Sequence, residues 1–163
     1  MINEANYKFV LKRLIDANEE AYLVGGAVRG LLLGNKVCDI DITTSASLKK
    51  IKEIFKDTKH FSYGEKHGTL MLRYRNKNYE ISTFKGKDLE SDLLARDFTV
   101  NSIARDISGK YFYSKGSEFD LNNKIIRMNS KKNIKEDPNR ILRGLRFAST
   151  LDFKIEEKTY KVF

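Results

Sequence analysis

The residue types and spacing of two aspartates, Asp39 and Asp41, are those of a catalytic or metal-binding pair. They alternate with Ile40 and Ile42 in a short apolar run. Because successive side chains of a strand project from opposite faces, this spacing predicts both carboxylates on one face. Two negative charges that lie so close together need a positive charge beside them. A hard cation such as Mg²⁺ can supply it, since Mg²⁺ is usually held by one or two carboxylates plus substrate phosphates. The pair therefore predicts a Mg²⁺ site.

A phosphate site is predicted about ten residues before this pair. Gly25 and Gly26 follow the apolar run at 22–24, and Arg29 lies in the helix-compatible segment after them. Glycine lets backbone N–H groups approach an anion, a helix N-terminus is positive, and arginine is a bidentate phosphate donor. The sequence of residues 21–44 therefore predicts a strand, a tight turn, a helix and a second strand, in that order. Alone, the diglycine would be a plain turn and the DID run an exposed strand edge; together they favour a cation and phosphate site.

Residues 136–153, EDPNRILRGLRFASTLDF, are the second informative stretch. Pro138 suits a first helical turn, and the acidic residues before it suit a helix N-terminus. At 100° per residue the helix has an apolar side and a basic side. The apolar side is Ile141, Leu145 and Ala148, and the basic side is Arg140, Arg143 and Arg146. A surface helix also has charge opposite its apolar side, but arginines at i, i+3 and i+6 are more selective because guanidinium matches bases and phosphates.

These motifs together resemble those of the class II tRNA nucleotidyltransferases, which include CCA-adding enzymes and bacterial poly(A) polymerases. The matching segments are GGAVRG and DID within 25–41, RDFTVN at 96–101, FDLNNKIIR at 119–127 and EDPNRILRGLRF at 136–147. The resemblance covers most of the chain. It implies template-independent, Mg²⁺-dependent transfer of CMP and AMP from CTP and ATP to the 3′ end of tRNA.

The resemblance also implies which residues act. Asp39 and Asp41 would be the catalytic residues and metal ligands. The other matched positions would bind the nucleotide: Gly25, Gly26, Arg29, Arg96, Asp97, Asn101, Asp137, Arg140, Arg143 and Arg146. Without the family match, ordinary ion pairing at a helix end would be the simpler interpretation of Arg96.

Base selection has a chemical basis in the second motif. Cytosine and adenine each present an amino donor beside a ring-nitrogen acceptor, whereas uracil and guanine present the opposite order. A carboxylate beside a guanidinium matches the first pair, and each buried polar group left unpaired costs about 1–3 kcal/mol. The resemblance implies that Asp137 and Arg140 select CTP and ATP in this way, with Arg143 and Arg146 contacting base or phosphate nearby.

Three positions depart from the family pattern. Gly30 stands where the family has aspartate, Ala95 where it has arginine, and Gly144 where it usually has alanine. At least one electrostatic contact of the family is therefore absent or supplied by another residue.

Composition limits the class of protein. Lysine and arginine outnumber aspartate and glutamate by 31 to 22, a net charge of +9 that favours polyanionic partners, although many basic surfaces have none. The single cysteine, Cys38, excludes an intrachain disulfide and is interpreted as a buried strand residue. The N-terminal residues are polar where a signal peptide needs an apolar core, and no run approaches a membrane span. We therefore expect a cytoplasmic protein without a membrane partner.

Other elements are expected to position these residues. Helices are predicted at 3–19 and at 47–55, the second with Ser47 as its N-cap. The apolar residues of the first helix are Tyr7, Val10, Leu11, Leu14 and Ile15. A hairpin is predicted from strands at 69–74 and 79–84 joined by a polar turn at 75–78.

The segment after this hairpin is predicted less fully. Residues 88–106 are expected to form a helix followed by a strand or tight turn, and residues 107–135 a loop, a strand and a basic connector. Glu80, on the second hairpin strand, is a candidate third carboxylate, although exposed strand glutamates are common. His67 is interpreted as a turn residue.

We predict an α+β fold with a small mixed β-sheet nucleotidyltransferase head packed with helices at 1–130, followed by the start of an α-helical neck at 131–163. The acidic strand, diglycine turn and arginine-bearing helix should converge on one cleft. Alternative functions are a poly(A) polymerase, a CC- or A-adding specialist, or a catalytically weak nucleotide- or RNA-binding module. Apolar surface along the last helices would support a homo-oligomer or a missing C-terminal helical partner.

Overall fold

A computed structural model describes residues 4–35, 37, 39–61 and 68–163. The helices are α1 (Glu4–Asp16), α2 (Gly25–Leu32), α3 (Leu48–Ile54), α4 (Leu89–Leu94), α5 (Ser117–Asn122), α6 (Lys131–Glu136), α7 (Asn139–Leu151) and α8 (Glu157–Tyr160). The strands are β1 (Ala21–Val24), β2 (Ile40–Thr44), β3 (His60–Phe61), β4 (Thr69–Tyr74), β5 (Lys77–Thr83), β6 (Ile103–Arg105), β7 (Tyr111–Tyr113), β8 (Ile125–Ile126) and β9 (Lys154–Ile155). A 3₁₀ turn spans Thr99–Asn101.

Seven of the described strands form one mixed sheet in the order β3-β4-β5-β2-β1-β6-β7. Strand β2 is parallel to β5 and antiparallel to β1, and the other neighbours are antiparallel. The register pairs Asp41 of β2 with Glu80 of β5 and with Val24 of β1. The predicted α+β fold with a small mixed sheet is confirmed, and its acidic strand lies between the Glu80 strand and the strand that leads into the diglycine.

Helix α1 covers one face of this sheet. Its residues Tyr7, Val10, Leu11 and Leu14 are fully buried, as their helical spacing predicts. Ile15, which we placed on the same stripe, is 38% exposed because it lies at the edge of the buried face near the helix end. The prediction for that residue is wrong, and the rest of the stripe forms part of the core.

The strands β4 and β5 form the predicted hairpin with a tighter turn. Arg75 and Asn76 both have positive φ angles, 47° and 59°, and β5 already begins at Lys77. Two central residues with positive φ match the right-handed twist of the flanking strands. The turn therefore has two residues where the sequence suggested four.

Helix α3 follows the sequence prediction closely. The Ser47 hydroxyl accepts a hydrogen bond from the Lys50 amide at 3.3 Å, and Ile51 and Phe55 are fully buried. Because an N-cap oxygen satisfies one of the free amides of the first turn, this contact defines where the helix begins.

The segment 107–135 contains more regular structure than we predicted, since it includes α5 and α6 besides two strands. Asp120 of α5 is fully buried and its carboxylate accepts from Arg127 at 2.8 and 3.1 Å and from the Thr99 hydroxyl at 2.8 Å. The polar sequence gave no sign of this helix, because its buried Asp120 is paired with residues outside the helix, Arg127 and Thr99. Helix α5, in the segment predicted as loop, strand and connector, therefore anchors the 3₁₀ turn.

The buried face of helix α7 overlaps the predicted apolar side but is shifted from it. Ile141 and Ala148 are partly buried against the core, as predicted, and Gly144 and Phe147 are buried. Leu145 is 44% exposed, so the prediction for that residue is wrong. A Cβ on Gly144 would lie 2.5 Å from Cζ of Phe163 and 2.7 Å from Cζ of Phe98. Two aromatic rings therefore occupy the space beside the glycine, which draws that side of the helix inward.

The segment 131–163 shares its core with the rest of the chain. Ile134, Phe147 and Phe153 belong to the same buried cluster as the strands of the sheet. Strand β8 also pairs in parallel with β9. The boundary at 130 between a head and a neck therefore stays a proposal, because the packing is continuous across it.

None of the helices in the described ranges is long and apolar enough to cross a membrane. Our predictions for Cys38 and His67 lie outside the described residues.

Candidate active site

The site begins where β1 meets α2. Gly25 is the first residue of α2 and has φ +63°, so the predicted tight turn is reduced to a single left-handed residue. A Cβ at this position would lie 3.0 Å from Oδ2 of Asp41 and 3.3 Å from Nη1 of Arg96. Glycine is required for both reasons, since other L-residues are strained at this φ and their side chain would enter the space between carboxylate and guanidinium.

The acidic pair faces this glycine. Asp39 is exposed immediately before β2, and Asp41 is partly buried within it, while Ile40 and Ile42 are buried. Burial and the neighbouring Glu80 carboxylate raise the pKa of Asp41 to about 6, although Arg96 opposes the shift. An ionised carboxylate here lacks enough positive charge around it, as expected for a group that holds a cation.

A buried carboxylate fixes the guanidinium opposite this pair. Arg96 Nη2 donates to Oδ2 of Asp92 at 2.8 Å, and Oδ1 of Asp92 accepts from the Lys85 amide at 2.9 Å. Among the described residues no acceptor reaches the buried Nε of Arg96. Arg96 is therefore positioned by the protein but retains unused donor capacity for a ligand in the cleft.

A second network joins α2, the 3₁₀ turn and α7. Arg29 Nη1 donates to the Asn101 side-chain oxygen, and Asn101 Nδ2 donates to Oδ1 of Asp97 at 2.8 Å. Oδ2 of Asp97 accepts from Nε of Arg143 at 2.8 Å. Asp97 and Asn101 are buried, and both carboxylate oxygens of Asp97 are engaged. These two residues orient arginines in this structure.

An aromatic ring lies at the centre of the arginines. The guanidinium carbons of Arg29, Arg146 and Arg143 lie 4.6, 5.3 and 5.5 Å from the centroid of Phe147. Burial lowers the pKa of Arg29, and the Asp97 carboxylate opposes that shift. The negative ring face and the Asp97 carboxylate together allow three cations to lie close to one another.

The pair predicted to select the base lies where α6 is followed by α7, with Asp137 directly after α6 and Arg140 in the first turn of α7. Asp137 has extended backbone geometry, and its Oδ1 accepts from the Asn139 amide at 3.0 Å. Its Oδ2 is 3.9 Å from Nε of Arg140. Arg140 Nη1 donates to the Asn133 carbonyl at 3.1 Å and to the Ala95 carbonyl at 3.4 Å. Both side chains line the same cleft as the acidic pair.

All twelve predicted site residues line one cleft with a volume of about 760 Å³. They are Gly25, Gly26, Arg29, Asp39, Asp41, Arg96, Asp97, Asn101, Asp137, Arg140, Arg143 and Arg146. A cleft of this volume lies within the range of small-molecule sites. The convergence that the sequence led us to expect is therefore present in the geometry.

The cleft also contains residues that we did not predict as part of the site. These are mainly Phe147, Asp92, Lys85, Ser82 and Thr69; Glu80, the candidate third carboxylate, also lines the cleft. The spacing of Asp92 and Arg96, four apart, matches the ion pairing at a helix end that is the simpler interpretation of Arg96, and the structure identifies Asp92 as the partner. Phe147 ends the matched segment EDPNRILRGLRF, but its type suggested no role of its own, because an aromatic after a basic residue is usual in any amphipathic helix.

The mixed sheet and the cleft together define a head domain of the poly(A) polymerase type. Residues 21–127 match the family model of the Poly A polymerase head domain, and the chain belongs to this family. Nucleotidyltransferases of this family use a divalent metal.

Relatives of the chain are named CCA-adding enzymes. That of Lactobacillus helveticus is 41% identical over 168 residues, covering 92% of this chain and 42% of the relative. That of Staphylococcus haemolyticus is 40% identical over 180 residues, covering 99% of this chain and 44% of the relative. The chain thus spans somewhat over two fifths of the length of these curated relatives.

Solved structures show the same likeness. The Bacillus stearothermophilus CCA-adding enzyme in complex with CTP aligns with a TM-score of 0.91 at 36% identity, covering 99% of this chain and 43% of that one. A tRNA nucleotidyltransferase complexed with a primer tRNA and an incoming ATP analog aligns with a TM-score of 0.79 at 32% identity, covering 95% of this chain and 48% of that one.

The donor set of the cleft fits a divalent metal. No group of three or more His, Cys, Asp or Glu side chains in the described part of the chain forms a complete metal site. Asp39 and Asp41 supply hard carboxylate oxygens on one face, and burial together with the neighbouring Glu80 carboxylate raises the pKa of Asp41. Two carboxylates leave coordination positions for phosphate and water oxygens, which is the usual arrangement for Mg²⁺.

Proposed function

We propose that this chain is the catalytic head and the start of the neck of a CCA-adding enzyme, which transfers CMP and AMP from CTP and ATP to the 3′ end of tRNA. The observation that carries the proposal is the single cleft, because it joins an acidic pair, a glycine-started helix, several guanidinium groups and the Asp137–Arg140 pair. Residues 1–130 would form the head, and residues 131–163 the nucleotide-selecting part of the neck.

The triphosphate would bind between α2 and α4. The first turn of α2 presents free backbone N–H groups, and its glycines leave room for an anion to approach them. Arg29 and Arg96 border this space from two sides and are each held by a protein acceptor. Preorganised cations of this kind bind a polyanion without first having to order their own side chains.

Asp39 and Asp41 would hold Mg²⁺ at the reacting end of the nucleotide. When bound, the ion lowers the pKa of the attacking 3′-hydroxyl and neutralises charge on the leaving pyrophosphate. The chain's own contribution is to hold the two carboxylates on one face of β2, beside the glycine that admits the phosphates. Glu80 is paired with Asp41 in the sheet and lines the same cleft.

Asp137 and Arg140 would select the base. The carboxylate accepts from the exocyclic amino group that cytosine and adenine share, and the guanidinium donates to the ring nitrogen beside it. Uracil and guanine present a donor to the guanidinium and an acceptor to the carboxylate, and the unpaired groups would cost about 1–3 kcal/mol each. Arg143 and Arg146, on the same side of α7, would contact base or phosphate.

The solved relatives support these partners. One was determined in complex with CTP, and another with a primer tRNA and an incoming ATP analog. Both cover nearly the whole of this chain, so the regions compared include the cleft.

The test uses alanine at the acidic pair. Asp39→Ala and Asp41→Ala should each abolish incorporation of labelled CMP and AMP into tRNA lacking its 3′ CCA, with Mg²⁺ present. Asp16→Ala is the matched control, because Asp16 is an exposed carboxylate paired only with Lys12 in the described contacts. Unchanged turnover in either cleft variant would refute the assignment.

A poly(A) polymerase, or a CC- or A-adding specialist, is the second candidate, and the family description of the head domain favours it. These activities use the same cleft and differ in product. Incorporating each of the four nucleotides alone and measuring product length separates them: a CCA-adding enzyme should stop after two cytidines with CTP, whereas a poly(A) polymerase should extend with ATP alone.

A catalytically weak binding module is the remaining alternative. Its support is the exposed apolar surface of α7 and α8, which includes Leu142, Leu145 and Tyr160. Self-association or a helical partner would cover that surface. Sedimentation showing a monodisperse monomer with full activity on tRNA would count against this alternative.

A further inference from the structure

The C-terminal end of α4 is held by two asparagines from the segment after β8. Asn133 Nδ2 donates to the Leu94 carbonyl at 2.8 Å and to the Arg96 carbonyl at 2.7 Å. Asn129 Nδ2 donates to the carbonyls of Arg96 at 2.9 Å and Leu93 at 3.3 Å. The last carbonyls of a helix have no partner further along the helix, so these side chains supply donors to the Leu94 and Arg96 carbonyls. The Leu93 carbonyl also accepts from the Arg96 amide at 3.3 Å.

Arg140 completes the same set of contacts. Its Nη1 donates to the carbonyl of Ala95, which lies between the two carbonyls held by Asn133, and to the carbonyl of Asn133 itself. Nη1 carries two N–H groups, and these two acceptors use both. The Nε and Nη2 groups are left for Asp137, whose Oδ2 lies 3.9 Å from Nε, and for a ligand. The orientation of the guanidinium is therefore determined by two backbone carbonyls.

We propose that Asn133 is a positioning residue for base selection, which acts on the nucleotide through Arg140; this rests on the proposed function of Asp137 and Arg140. Asn133 acts twice on the guanidinium, directly through its own carbonyl and indirectly by fixing the peptide groups on either side of the Ala95 carbonyl. It is only 8% exposed and is not among the described residues that line the cleft, so it does not itself meet the base.

The consequence for selectivity follows from the geometry of guanidinium. Discrimination between cytosine and uracil requires that one N–H of Arg140 point at the base edge while the Asp137 carboxylate accepts beside it. A guanidinium free to rotate about its side-chain bonds can offer its donors to the carbonyl oxygens of uracil and guanine as well. Anchoring Nη1 on two carbonyls excludes those orientations and so favours the bases that place an acceptor next to an amino group.

The test compares two substitutions at Asn133 with a matched control. Asn133→Asp keeps the shape but removes both N–H donors, and Asn133→Ala removes the side chain. Asn129→Ala also removes a donor to the Arg96 carbonyl, but Asn129 has no described contact with Arg140. The affinity for CTP and for UTP is measured by isothermal titration with Mg²⁺, and folding is checked by thermal denaturation.

We expect the CTP-to-UTP affinity ratio to fall about tenfold in both Asn133 variants, the equivalent of one net hydrogen bond, and to change less than twofold in Asn129→Ala. An unchanged ratio in the Asn133 variants, or an equal fall in Asn129→Ala, overturns the positioning role. A wild-type protein that binds CTP and UTP equally overturns the proposed function and this role together, so the two failures are distinguishable.

A measurement on the wild-type protein covers the case in which the variants do not fold. The carboxamide protons of Asn133 and the Nη1 protons of Arg140 should exchange slowly with solvent in NMR spectra recorded before any nucleotide is added. Exchange of both groups at the rate of exposed side chains would show that the anchor is absent and would overturn the inference.

Discussion

Replacing Gly25 by alanine should damage the cleft and the stability of the fold by separable amounts. The residue has φ +63°, and an L side chain in this left-handed region costs about 1–2 kcal/mol. For a domain of this size each kcal/mol lowers the melting temperature by about 2–4 °C, so a fall of about 2–8 °C is expected. The added methyl would also lie 3.0 Å from Oδ2 of Asp41 and 3.3 Å from Nη1 of Arg96.

Gly34→Ala is the matched control for this experiment. Gly34 has φ +69°, and within the described residues no heavy atom lies within 4 Å of the position of an added Cβ. Both variants should therefore lose similar stability because they share the same backbone strain. Only Gly25→Ala places a methyl group between the carboxylate and the guanidinium of the cleft.

Nucleotide affinity and incorporation separate the two effects. In isothermal titration with CTP and Mg²⁺, Gly25→Ala should lose at least about tenfold in affinity, since the loss of one charge-assisted hydrogen bond in a triphosphate site costs about 1.5–3 kcal/mol. Gly34→Ala should bind as the wild type does. Equal loss of affinity in both variants, or wild-type affinity in Gly25→Ala, would refute the argument that the missing side chain makes room for a ligand.

Three further predictions concern the surroundings of the cleft. With a chelator present, Asp41→Asn should become more stable than the wild type as pH rises from about 4 through about 6, by at most about 3 kcal/mol. The native pKa of Asp41, about 6, lies above the ordinary value of 3.8, so the wild type loses stability over that range as Asp41 ionises, and the asparagine variant does not. Denaturant titrations at pH 4 and pH 8 check the sign. Asp92→Asn removes the carboxylate that pairs with Arg96, so it should lower the free energy of unfolding by about 1–3 kcal/mol. Because Arg96 is then no longer held in place, KM for nucleotide should rise more than kcat falls, and an unchanged KM would contradict this. Gly144→Ala should lower the free energy of unfolding by about 1–3 kcal/mol, because the added methyl overpacks against the rings of Phe163 and Phe98. In a double-mutant cycle, Phe163→Leu should restore part of that loss. Additive losses of stability would show that the rings do not contact the new methyl.

The acidic pair was predictable because its geometry is local. Alternation of Asp39 and Asp41 with Ile40 and Ile42 needs only the twofold period of a strand, and burial of the two isoleucines agrees with it. The N-cap of α3 and the stripe of α1 were predictable for the same reason, since each depends on residues within a few positions.

The buried face of α7 was only partly predictable in this way. Of the predicted apolar side, Ile141 and Ala148 pack against the core and Leu145 is exposed, while Gly144 and Phe147 are the buried residues. A helix with several apolar positions can turn more than one side inward, and the choice depends on the rings of Phe98 and Phe163, which come from distant parts of the chain. Hydrophobic periodicity alone carries no information about those rings.

The sequence by itself determined the residue types, the local elements and the motifs that place carboxylates, glycines and arginines in order along the chain. Only the tertiary structure decided which of them meet. Arg29 pairs with Asn101 across 72 positions, Arg143 with Asp97 across 46, and Arg140 with the Ala95 carbonyl across 45. Hydrogen bonds depend on distances within a few tenths of an ångström and on angle, and such precision between remote segments arises only when the sheet and helices have packed.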